Sequence, residues 1–147
     1  MNLLNTLIYS GDPVLNTACE NVNKNDEVKF LIDCMWLQMY GLKGIGLAAN
    51  QVGVLKRVIV VHADSFKKVM INPEITKSYG GKITARETCL SFPGKEYLKV
   101  RDKQIIIHCL DENFKEKKYK LKGLASRCVQ HEIDHLNGIT INQVDFY

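Results

Sequence analysis

The sequence predicts an α+β fold: mostly antiparallel strands packed around a central metal-binding helix, with a long N-terminal helix. Three observations predict it. Val28, Leu31, Ile32, Met35, Trp36 and Met39 recur at helical spacing. From Arg57 to Leu121 the pattern changes to short β-branched or alternating runs, broken by turn-forming residues. A helical stretch then returns from Leu124, with Gly123 before it, Gly138 placed to end it at positive φ, and no proline inside.

In chain order, residues 1–27 read as irregular, with turn chemistry at Ser10-Gly11-Asp12-Pro13 and an Asn/Lys/Asp-rich stretch over 21–26. Asp26 is the expected N-cap of the first helix, with Glu27 and Asp33 in its early turns, and the apolar spacing extends it roughly four turns to Tyr40-Gly41. Its Trp and Met side chains are expected in the core. The next segment, Gly44 to Gly53, is apolar with three glycines and one amide, Gln51. Gly44 and Gly46 let main chain approach a ligand closely, and Gln51 can aim a donor into the same space. A buried turn with Gln51 satisfied by backbone fits the same residues. No strand is expected before it, which argues against a phosphate or dinucleotide loop.

Residues 57–62 are β-branched and apolar throughout, as a buried strand is, with His62 a polar residue at its end. Residues 69–73 and 74–79 follow as strand pieces, Pro73 marking an edge or break and Gly80-Gly81 a turn. Residues 86–94 are expected as a loop bearing Cys89 and closed by Pro93-Gly94. Residues 97–101 and 103–110 are further strands, 111–114 a hairpin connection, 115–121 the returning strand, and 139–144 a last short strand.

The 147 residues suit one domain, 1–147, with a core of its own. Apolar residues are 46% and charged residues 24%, ordinary for a globular chain. A net charge of +4 permits weak attraction to polyanions, RNA included, but there is no arginine-rich block to support specific nucleic-acid binding. The basic run 115–122 alternates with Glu116, Tyr119 and Leu121 and reads as a solvated strand face. Five cysteines, with no CxxC spacing, point to free thiols in a reducing, cytoplasmic setting. No signal or transit peptide and no membrane-spanning run is visible. A monomer is the expected state.

The chemistry lies in Gln130-His131-Glu132-Ile133-Asp134-His135. On a helix His131 and His135 are i and i+4, so both imidazoles leave one face a turn apart and can hold one divalent metal. Glu132 beside them is a carboxylate able to move protons. His-Glu-x-x-His arises by chance in only about one chain in a few hundred of this size, and a helix face with two incidental histidines is the bland alternative. Catalytic sites use three protein ligands and keep a position open. Spacing leaves the third ligand among Cys89, Cys109, Cys128, His62, His108 and several carboxylates. Cys109 falls in a strand pattern, whereas the loop around Cys89 allows a thiolate to be aimed. Asp134 suits either an acceptor that orients an imidazole or a solvated helix position.

Three segments, Gly44-Ile45-Gly46-Leu47-Ala48-Ala49-Asn50-Gln51, Glu87-Thr88-Cys89-Leu90-Ser91 and Gln130 to His135, together resemble the three motifs of peptide deformylases, in order and at similar separations. The resemblance covers essentially the whole chain and implies a metal-dependent hydrolase acting on N-formylmethionyl nascent peptides. By position it makes Cys89, His131 and His135 the metal ligands and Glu132 the general base and acid. Gln51 and the Leu90 N–H become the oxyanion donors. It implies Fe²⁺, with Zn²⁺, Ni²⁺ or Co²⁺ able to substitute. Glu87 and Arg101 match a pair that braces the cysteine segment. Methionine would occupy a pocket involving Ile45, Leu124 and Cys128, its backbone running beside residues 44–46 and Thr88.

The chain departs from the pattern at Thr88, where glycine is usual, and at Arg127, where an apolar residue is common. It also runs only nine residues beyond Gly138, short of the C-terminal extension of some members, which puts ribosome docking through that extension in doubt; transient ribosome contact is the remaining expectation. The rivals are a metallopeptidase of the His-Glu-x-x-His type, a non-catalytic metal-binding module and a catalytically degraded relative. The first takes histidine or carboxylate as third ligand, the second does not need Glu132, and the third should have lost Glu132 or a ligand.

Overall fold

Val58-Ile59-Val60-Val61 lacks the alternation of a half-exposed strand because both of its faces are covered. A computed structural model describes residues 6–143. Its elements in chain order are α1 (Lys29–Gly41), β1 (Gly46–Ala48), β2 (Val58–Ala63), β3 (Phe66–Cys89), β4 (Phe92–Leu110), β5 (Glu116–Lys122) and α2 (Gly123–Leu136). The strands form one antiparallel sheet in sequence order, β1 to β5. Val58 and Val60 point into a core shared with Leu31, Ile32, Met35 and Met39 of α1. Ile59 and Val61 point the other way, into a core with Val129, Ile133 and Leu136 of α2 and with Ile105, Ile107 and Leu121. Each such buried aliphatic side chain contributes about 1.5–3 kcal/mol. The layers are therefore helix, sheet, helix around β2.

The antiparallel sheet matches the expectation, but the helices differ from it. The first helix has 13 residues and is capped by Val28 without a side-chain bond. Asp26 is not its N-cap: its carboxylate accepts from the Asn23 N–H at 2.8 Å and from Lys56 Nζ at 3.3 Å. Glu27 instead accepts the Lys29 N–H at 3.1 Å. Asp26 and Glu27 precede the helix while Asp33 lies in its second turn as expected, so the helix is of ordinary length, not long. The histidine helix is the last element among the described residues, packed on one face of the sheet; it is not a centre around which strands gather.

The strand pieces expected between 69 and 110 are two long strands of one hairpin. β3 runs through Pro73 and through Gly80-Gly81, because β-bulges absorb the irregular residues. Asn72 (φ 52°) precedes Pro73 at one register shift, and Gly80 and Gly81 (φ 80° and 85°) sit at another. The segment 86–94 is likewise not a free loop. Residues 86–89 end β3, 92 begins β4, Cys89 pairs with Phe92, and Leu90-Ser91 make a two-residue turn. Residues 139–143 form no strand, and Val144 lies outside the described residues. In β5 Lys117, Lys118, Lys120 and Lys122 are exposed while Leu121 is buried, the solvated face expected. No helix among the described residues is long and apolar enough to cross a membrane.

Candidate metal centre

Local sequence aims α2, and the hairpin turn brings a third group to it. Gly138 (φ 75°) follows α2, and α2 puts the His131 and His135 rings 5.1 Å apart. Cys89, last residue of β3, presents its thiol to the same spot, 3.3 Å from His135 Nε2. One ligand atom from each of Cys89, His131 and His135 lies within 4.8 Å of the others, and all three residues are buried. Cys109 lies in the core beside Ile107 and Leu121, Cys128 has its thiol 3.6 Å from the Ile45 carbonyl, and His62 pairs with the Tyr40 hydroxyl at 2.8 Å. None of these joins the cluster among the described residues.

The supports come from side chains far apart in sequence. His131 Nδ1 lies 3.1 Å from Glu87 Oε1, and Arg101 donates to both Glu87 oxygens, Nη2 at 2.8 Å and Nε at 2.9 Å. Burial works against the Glu87 charge, but the Arg101 fork and His131 outweigh it and bring the carboxyl down to about 2. A carboxylate there must accept, so His131 carries a proton on Nδ1 and turns Nε2 to the cluster. Burial works against a charge on this ring, but Glu132, Cys89 and Glu87 outweigh it and raise its pKa to about 10. The same guanidinium donates to Asp134, which therefore turns to Arg101 and not to an imidazole. His135 is held neutral, its pKa pushed well below the usual value by burial, with the charges of His131 and Arg101 adding to the effect.

Gln51 is not a simple backbone-satisfied turn residue. Its Oε1 accepts the Ala48 N–H at 3.0 Å while Nε2 donates to Ser91 Oγ at 3.0 Å and lies 3.8 Å from Cys89 Sγ. Ser91 in turn donates to the Ile8 carbonyl at 2.7 Å, and the Ile8 N–H donates to Gln51 O at 2.7 Å. Ser91 and Asn50, whose amide donates to the His135 carbonyl at 2.6 Å, were quoted in the motifs without a role. Their parts are invisible in sequence because their partners lie 40 and 85 residues away.

Glu132 is buried beside the cluster, and its Oε1 has no partner. Burial pushes its carboxyl up to about 7, even though His131 and Arg101 pull it down. A buried, unsatisfied carboxylate oxygen is costly unless a water or ion completes it. A thiol and two imidazoles are a donor set that fits one divalent transition-metal ion with a position left open.

The cluster lies at the floor of a cavity of about 340 Å³. Ile45, Gly46, Thr88, Leu124 and Cys128 all line it, as do Gln51, Leu90, Cys89, His131 and Glu132. His135 and Arg101 stand behind this lining. Three cations also face the space: Arg127, which the sequence marked as a departure from the family pattern, and Lys43 and Arg86, which it did not single out. Gly46 lets β1 pass close: a Cβ there would stand 2.6 Å from Glu132 Oε2 and 2.7 Å from Cys128 Sγ.

Comparison with known proteins places the chain in a family. The family described as polypeptide deformylase matches residues 4–145. A peptide deformylase of Thermodesulfovibrio yellowstonii is 46% identical over 136 residues, covering 88% of this chain and 82% of that protein. The crystal structure of a peptide deformylase from Synechococcus elongatus in complex with actinonin superposes with a TM-score of 0.90 at 38% identity, covering 96% of this chain and 79% of the other. That from Thermotoga maritima gives 0.90 at 36% identity, covering 96% and 97%. The chain belongs to the polypeptide deformylase family, metal-dependent hydrolases that remove the formyl group from an N-terminal methionine.

Proposed function

We propose that Cys89, His131 and His135 hold the metal of this deformylase and that Glu132 carries the protons of the reaction. The observation behind this reading is the buried, unpartnered Glu132 Oε1 next to the three-residue donor cluster at the cavity floor. The ion, Fe²⁺ in this reading with Zn²⁺, Ni²⁺ or Co²⁺ as substitutes, supplies Lewis acidity when bound, lowering the pKa of a water and polarising the formyl carbonyl. Glu132 takes a proton from the attacking water and passes it to the nitrogen as the C–N bond breaks, so that formate and a free amine leave. Charge that develops on the formyl oxygen is met by the Leu90 N–H and by Gln51 Nε2. One N–H of Gln51 is held by Ser91, which aims the other.

The substrate methionine lies against Ile45, Leu124 and Cys128, and its backbone runs along residues 44–46 and Thr88. β1 has an unpaired outer edge there, being first in the sheet order. Thr88 is exposed and contributes main chain, so its side chain need not enter the cleft. Glu87 and Arg101 act by holding His131. The reading places all of this in one domain, 1–147, acting as a monomer in the cytoplasm. Five free cysteines support a reducing compartment. The partners are N-formylmethionyl nascent peptides, with transient ribosome contact and no specific nucleic acid.

The test is formate release from formyl-Met-Ala-Ser by anaerobically prepared, Fe²⁺- or Ni²⁺-loaded protein, beside Glu132→Ala with its metal content measured. Activity in the wild type, lost in a variant that still binds metal, supports both assignments. An active Glu132→Ala would remove Glu132 from the proton path. Cys89→Ala protein that retains a full metal complement would remove Cys89 from the ligand set.

A further inference from the structure

We propose that the cavity prefers chains whose second to fourth residues are acidic, and that Arg127, Lys43 and Arg86 create the preference. The inference rests on the deformylase reading of the site and adds a substrate class to it. Among the described residues the lining carries three cations and two carboxylates. Glu87 is taken by Arg101 and His131. Glu132 is sunk at the floor, 4% exposed. Arg86 makes one loose, solvent-exposed pair with Glu96 at 3.5 Å, which a substrate can replace. Lys43 and Arg127 make no ion pair among the described residues, although Arg127 is half-buried. The wall therefore offers positive charge without an internal partner.

The positions of these cations match the path of a peptide. The reacting end lies where Gly46 approaches Glu132 and where Cys89 ends β3. Lys43 is three residues before Gly46, and Arg86 is three before Cys89. At about 3.3 Å per residue Arg86 stands roughly 10 Å along β3 from Cys89, whereas Lys43 (φ 59°) lies in the turn between α1 and β1. Arg127 precedes His131 by one helical turn, about 6 Å along. An extended peptide advances at a similar rate, so its second to fourth side chains pass these three groups. Carboxylates there gain a counter-charge, whereas lysines or arginines meet like charge.

The experiment measures kcat/KM for formyl-Met-Ala-Ser, formyl-Met-Glu-Glu and formyl-Met-Lys-Lys on the metal-loaded protein, at about 0.05 M and at about 0.5 M salt. The expected ratio of acidic to basic peptide is about tenfold at low salt, shrinking toward about threefold at high salt as the exposed charges are screened. Arg127→Gln and Lys43→Glu should each lower that ratio, and the double variant should bring it to one or below. Turnover of the neutral peptide with a ratio near one in the wild type overturns the inference and leaves the deformylase reading intact. A preference that survives the double variant overturns the assignment to these residues. Failure to turn over any of the three peptides removes the reaction and this inference with it.

Discussion

Gly46→Ala tests how closely the main chain of β1 must pass the proton-carrying carboxylate. A Cβ at 46 would lie 2.6 Å from Glu132 Oε2, 2.7 Å from Cys128 Sγ and 3.1 Å from Glu132 Cδ. Ordinary contact begins near 3.4 Å, so the first two fall short by 0.8 and 0.7 Å (3.4 less 2.6, and 3.4 less 2.7). Gly46 has no positive φ and pairs with Val61, so alanine suits the backbone but the strand cannot retreat. Cys128 is fixed in the core of α2. The carboxylate, with Oε1 unpartnered, is the part free to swing. A displacement on the order of 1 Å at a catalytic group costs about 10²-fold in rate. The overpacking itself costs about 1–3 kcal/mol.

The assay is kcat/KM for formate release, with metal content and thermal midpoint measured on the same protein. The expected result is a loss of roughly 10²-fold with the metal retained, because no ligand is touched. Gly44→Ala is the internal comparison. Its Cβ would meet Leu90 Cδ1 at 2.6 Å, the far end of a flexible side chain that can rotate, so its loss should be much the smaller. A Gly46→Ala protein within about threefold of wild type at full metal occupancy would refute the reasoning, since threefold lies far below the loss expected from misplacement.

Arg101→Met should leave Glu87 buried without its fork, its side chain 11% exposed, at a cost of about 3–5 kcal/mol. Thermal melting checks this as a drop on the order of 10 °C, accompanied by weaker metal retention as His131 loses its brace. Arg101→Lys should recover only part of the loss, because an ammonium cannot bond both oxygens in a plane. Gly138→Ala combines φ 75° with a Cβ 2.8 Å from the Asn16 carbonyl oxygen, and denaturant melts should show a loss of about 1–3 kcal/mol. Burial raises the Cys109 thiol from 9.0 to about 11, with Asp111 adding to it. Its neutral form is thus favoured by folding. That stability is fully present below pH 9.0 and lost as pH rises toward about 11. Alkylation of native protein at pH 8 should accordingly leave Cys109 unmodified while unfolded protein reacts.

The first helix was legible in its spacing, and Leu31, Ile32, Met35 and Met39 are buried as that spacing requires. Its start was not, because Asp26 can cap a helix or close a turn, and only the nearby Asn23 N–H and Lys56 decide between them. The long strands β3 and β4 looked like separate pieces because Pro73 and Gly80-Gly81 are turn residues by local chemistry. A partner strand lets bulges accommodate them. Asp134 remained open for a similar reason: the helix puts it beside the histidines, but the guanidinium that claims it comes from β4.

Local physics determined what a few residues dictate among themselves. The i, i+4 geometry aligned His131 and His135, glycine allowed the positive φ after α2, and β-branching made residues 58–61 a strand with no polar face. The assembly of the site lies beyond that range. Cys89 reaches His135 across 46 positions, Gln51 reaches Ser91 across 40, and Arg101 joins Glu87 to Asp134. Such contacts form only when the register of β3 and β4 and the packing of α2 on the sheet bring the groups together. A side chain's chemistry is written in its own residue, whereas its partner is chosen by the fold that excludes water from both.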